Sequence, residues 1–146
     1  MPWTRLPLRA VTLDSYFIDR TEVTNAEFKK FVDAGGYGRK EYWQHEFRQG
    51  NRVLPWEKAM DLLVDSTGRP GPATWEVGNF AAGKADYPVG GVSWYEAAAY
   101  ASFRGKSLPT VYHWVRAALP SSEHVMSLAR EIVPLSNFGG DGPARV

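Results

Sequence analysis

The sequence predicts one loop-rich α+β domain with about three short helices, and three observations carry that reading. First, two capping boxes, Thr24 with Glu27 and Ser93 with Glu96, each sit at the start of a helix-period stripe, and Thr110 is placed to cap a third. Second, residues 37–86 hold Trp43, Trp56 and Trp75 among many Gly and Pro with little periodicity, so long loops are expected to bury large side chains. Third, the only strand-like patterns are short: Val11 with Leu13, then Tyr16 with Ile18.

Each element follows from local chemistry. Residues 1–9 carry two prolines and are read as irregular. The first helix, about 25–34, has Phe28, Phe31 and Val32 on one face and Lys29 and Lys30 on the wet side, and Gly35-Gly36 end it. Glu22 is read as holding the turn before that helix rather than as a catalytic acid. Within the irregular middle only 56–64 reads as helical, with Trp56, Met60 and Leu63 on a shared face, and STGRPGP at 66–72 is a loop. The second capped helix, about 94–104, presents Trp94, Ala97, Ala98 and Ala101, with Gly105 as its left-handed stop. The third, about 111–119, presents Val111, Trp114, Val115 and Ala118, and Pro120 stops it. A short helix is expected from Val125 to Ile132. Phe28, Phe31, Trp94, Ala98 and Trp114 are the expected core.

The totals exclude several functions. At 146 residues the chain allows one domain, 1–146, with its own core. Net charge is +1, without long basic runs, so neither nucleic acid nor an anionic membrane surface is expected as partner. No apolar run approaches a membrane span and no signal peptide is visible, so the expected location is the cytoplasm. Cysteine is absent, which removes disulfides, thiolate metal sites and cysteine nucleophiles. His45, His113 and His124 lack ligand spacing and are read as surface or packing residues. Gly90-Gly91 precede a helix start but suit a tight turn better than an anion site. The metal candidate is the oxygen-rich SNFGGDG run at 136–142, weighed against a plain turn.

Two strings are more specific than periodicity. They are YFIDRTEVTNAEFKKFV at 16–32, and P-V-x-x-V-S-W-Y-E-A followed by G-K-S-L-P-T-x-x-x-W-x-x-A-A within 87–118. Together they span about a third of the chain and resemble the formylglycine-generating enzyme family, also called sulfatase-modifying factor domains. The resemblance implies an irregular variant of the C-type lectin fold. It implies an oxygen-dependent oxidoreductase activity, conversion of a peptidyl cysteine to formylglycine, with copper held by two cysteines. It also implies a structural calcium, for which Asn137 and the Phe138 carbonyl match by order.

The resemblance covers the N-terminal part of such a domain. The family's cysteines belong to a later half, so no catalytic residue is carried over, and this chain alone is expected to be inactive. Val111, His113 and Val115 stand where acidic residues are usual, which resembles the subgroup fused to bacterial serine/threonine kinases. Two readings follow: part of a formylglycine-generating-type oxidase, or a non-catalytic lectin-like module that binds a peptide or protein partner. In either case the chain is expected either to self-associate through an apolar face or to be marginally stable alone, and its aromatic-rich composition favours self-association.

Overall fold

A computed structural model describes residues 11–118, 137 and 142–146. Helix α1 spans Asn25–Asp33, followed by single 3-10 turns at Gly36–Gly38 and Lys40–Tyr42. A two-stranded antiparallel hairpin, β1 (Phe47–Gln49) and β2 (Arg52–Leu54), leads into the short helix α2 (Trp56–Met60). A long irregular stretch precedes α3 (Trp94–Phe103), and α4 (Val111–Ala118) follows. This is the expected α+β, loop-rich arrangement. The helix expected at 125–132 lies outside the described residues.

Both capping boxes form. The Thr24 hydroxyl accepts from the Glu27 amide while the Glu27 carboxylate accepts from the Thr24 amide at 3.0 Å. Ser93 and Glu96 repeat the arrangement at α3, with the Ser93 amide 2.6 Å from Glu96 Oε2. Helix α3 ends as Gly105 predicted: φ is +66°, the Lys106 amide donates to the Ala101 carbonyl, and the Gly105 amide donates to that of Ser102. That pair of bonds is the Schellman closure, which needs a residue tolerant of positive φ.

The core is aromatic. Phe28, Phe31, Tyr37, Trp43, Phe47, Ala59, Trp75, Ala99 and Tyr100 form one buried cluster. Phe28 stacks on Tyr100 at 5.2 Å, joining α1 to α3, and Phe31 meets Tyr37 and Phe103 at 5.6 and 5.5 Å. Gly36 lies so close under the Phe31 ring that a Cβ would sit 2.1 Å from it. Trp43 and Trp75 are buried from loops, as the irregular middle predicted.

Four expectations need correction. Trp94 and Trp114 are 55% and 60% exposed rather than core residues. Helix α3 instead buries Glu96, Ala99 and Tyr100 with Ala101, leaving Ala98 half-buried, because the Tyr100 ring fills the α1 contact that Trp94 was expected to supply. No strand forms at 11–13 or 16–18, since no other described segment pairs with that backbone. The middle helix stops at Met60, and the chain then turns so that Val64 can bridge Pro70.

Candidate functional site

Three buried polar groups organise the loops. Asn25, at the first turn of α1, donates through Nδ2 to the carbonyls of Lys84 (2.9 Å) and Tyr87 (3.1 Å) and accepts at Oδ1 from Trp75 Nε1 (3.0 Å). Its own amide donates to the Tyr87 carbonyl. One side chain thus ties α1, the Trp75 loop and the 84–88 loop together. Glu96 is buried, and Tyr37 donates to its Oε1 at 2.5 Å. Burial pushes the Tyr37 hydroxyl far above its ordinary range, and the adjacent Glu96 charge and hydrogen bond add to the shift. Tyr37 therefore serves as a buried hydrogen-bond donor to Glu96.

Asp65 is the third. Its Oδ1 accepts from the amides of Thr67 (2.8 Å) and Arg69 (3.0 Å) and from the Thr67 hydroxyl (2.7 Å), and Oδ2 accepts from the Gly78 amide (2.6 Å). Burial alone would raise its pKa, but these donors outweigh it and hold the carboxyl well below the usual carboxylate range. Four donors leave little for a cation, so Asp65 is a structural hub. Beside it Val77 takes φ +53°, a strained value for a β-branched residue, and its amide donates to the Thr67 hydroxyl. Asn25, Tyr37 and Asp65 were not singled out by the sequence reading.

The sequence-predicted residues fall into place as follows. Glu22 is exposed; Glu27 closes the turn before α1. Gly90 and Gly91 spend their carbonyls on the Thr74 hydroxyl and the Ala73 amide, so they dock one loop on another. His45 is exposed, its ring 4.6 Å from that of Trp94. His113 meets Tyr16 edge-on at 4.7 Å, and Tyr16 donates to the His113 carbonyl at 2.8 Å. Asn137 is exposed and donates through Nδ2 to the Gly142 carbonyl at 2.6 Å. Phe138, its expected companion, and His124 lie outside the described residues.

Among the described residues two surfaces are candidates for binding. An open cleft of about 490 Å³ is lined by Leu13, Asp14, Ser15, Tyr16 and Arg116. The second is α4. Only His113 on this helix is half-buried, against Tyr16, while Val111, Trp114, Val115 and Ala118, one continuous apolar stripe, all face outward. Among the described residues no group of three His, Cys, Asp or Glu is placed to hold a metal, and no helix is long and apolar enough to cross a membrane. Copper held by two thiolates has no ligand anywhere in these 146 residues, so this chain does not fit that ion.

The fold and its two capped strings define a class. Residues 3–128 match the sulfatase-modifying factor enzyme 1-like domain, and the chain belongs to that family. Over 93% of its length it is 31% identical to a formylglycine-generating enzyme of Thermomonospora curvata, of which it covers 52%. It is 30% identical to a hercynine oxygenase of Mycolicibacterium smegmatis over 92% of this chain and 32% of that protein. It is 33% identical to the serine/threonine-protein kinase pkn1 of Chlamydia caviae over 74% of this chain and 15% of the kinase. The chain therefore spans about half, or less, of the relatives it matches. No solved structure matches it.

Proposed function

We propose that these residues form a polypeptide-binding framework of the sulfatase-modifying-factor type and do not themselves oxidise cysteine. The observation that carries the reading is α4, whose apolar stripe of Val111, Trp114, Val115 and Ala118 faces away from the body. Large apolar side chains aligned on one exposed face mark a surface that another polypeptide covers. The buried polar groups support a framework role as well: Asn25, Asp65 and Glu96 are all saturated by internal partners. None offers a group poised toward solvent for proton transfer or nucleophilic attack.

The likeness to chlamydial kinases favours the same reading over an oxidase one. There this domain type accompanies a different catalytic activity, so a binding role in a larger signalling protein is its natural counterpart. Incubating the chain with a cysteine-containing sulfatase-type peptide, copper and oxygen, and weighing the peptide by mass spectrometry, tests the chemical half. The expected result is no change; a chain-dependent mass loss on the cysteine overturns it. Binding is read from Trp114 emission, taken as the difference between the wild type and Trp114→Phe. Apolar peptides should shift it to the blue and polar ones should not, and equal responses to both refute the docking role.

A further inference from the structure

We infer that residues 14–20 are a pairing edge for a second copy of this chain, joined antiparallel about a two-fold axis at Phe17. Tyr16, Phe17 and Ile18 have strand-type side chains, yet among the described residues the backbone of 11–20 makes no backbone hydrogen bond; the first is the Val23 carbonyl accepting from Val89. Phe17 is fully exposed, and Ile18 and Val11 are half-exposed. The segment is nonetheless fixed on the body at two points. Tyr16 donates to the His113 carbonyl, and Lys106 Nζ binds both oxygens of Asp19 at 2.6 and 2.8 Å. A segment held in place whose amides and carbonyls pair with no other described backbone is a template for another strand.

Charge selects the occupant and its register. A two-fold antiparallel pair centred on Phe17 sets Asp14 opposite Arg20 at both ends, Tyr16 opposite Ile18, and Ser15 opposite Asp19. Asp14 and Arg20 are exposed, and neither forms an ion pair with another described residue. Slipping by one residue toward the N-terminus puts Asp14 against Asp19, and slipping by two toward the C-terminus puts Asp14 against Glu22. Opposite charges directly across a ladder favour pairing and like charges oppose it, so the Phe17 register is the self-complementary one. The symmetry is isologous: the same patch serves on both copies.

Light scattering across a dilution series, with far-UV circular dichroism as the folding control, is the test. The wild type should pass from monomer to dimer as concentration rises. Asp14→Arg or Arg20→Asp alone sets like charges across both ends of the ladder and should weaken dimerisation by about tenfold or more. Mixing the two single variants restores opposite charges at every position and should recover a heterodimer of wild-type affinity. If either charge variant folds poorly, Phe17→Lys, which brings two like charges to the axis, takes its place and should also dissociate the dimer. A wild type that stays monomeric throughout overturns the inference. So do single variants that dimerise like the wild type, or a mixture that recovers nothing.

Discussion

Replacing Asn25 by alanine should cost more than any exposed substitution in this chain, and its partners set the size of the effect. Asn25 is 7% exposed and bonds the Lys84 and Tyr87 carbonyls and the Trp75 indole. Each lost bond to a carbonyl contributes about 0.5–1.5 kcal/mol net, and a buried donor left without an acceptor costs about 1–3 kcal/mol. Trp75 is 1% exposed, so water cannot replace the lost acceptor without opening the core. The expected loss is about 3 kcal/mol. At a urea dependence of about 1–3 kcal/mol per molar, the unfolding midpoint should fall by about 1–3 M. Trp75→Phe removes the indole donor, so Asn25→Ala should cost about 1–2 kcal/mol less in that background. A loss below about 1 kcal/mol, or equal losses in both backgrounds, would refute the view that one amide clamps three segments.

Tyr37→Phe should cost about 1.5–3 kcal/mol in the same urea assay, because it deletes a bond to the buried Glu96 carboxylate; a neutral result would mean water satisfies Glu96. Asp65 has its pKa lowered in the fold, so its contribution is fully present above the unfolded value of about 4 and is lost as pH falls toward the folded value. Wild-type stability should therefore decline with acid below about pH 4, and Asp65→Asn should flatten that part of the profile. Unfolding curves between pH 2.5 and pH 5, about the range of carboxylate titration, decide it, and an unchanged slope in the variant removes Asp65 as the cause.

What could be read from the residues was mostly local. Thr24, Glu27, Ser93, Glu96 and Gly105 act within four or five positions of their partners, and the structure places each cap where the spacing put it. Helix existence followed from the same signals. The hairpin was missed, although Phe47-Arg48-Gln49 and Arg52-Val53-Leu54 flank Gly50-Asn51, a two-residue turn signal. Asn25 and Tyr37 could not be recognised, because their partners lie 50–62 and 59 residues away. Asp65 carried a weak local clue in Asp-Ser-Thr-Gly, a side-chain-capped turn, but the Gly78 amide that completes its cradle is 13 residues on.

The misassigned tryptophans show what periodicity cannot decide. A stripe at i, i+3, i+4, i+7 says that a helix has an apolar face, and says nothing of whether this chain covers it. On α1 the stripe found α3 and an aromatic core, and Phe28 and Phe31 are essentially inaccessible. On α4 the pattern is as regular, yet the helix rests on the body through His113 and turns Val111, Trp114, Val115 and Ala118 outward. The two helices differ in what lies opposite. Helix α1 is pinned at its first turn by Asn25, which fixes the direction of its stripe, whereas α4 is held by the Tyr16 edge contact and hydroxyl bond. Those contacts fix its place without using its apolar face. The face is therefore one that the other described residues leave uncovered, and its apolar area stands to gain from a partner.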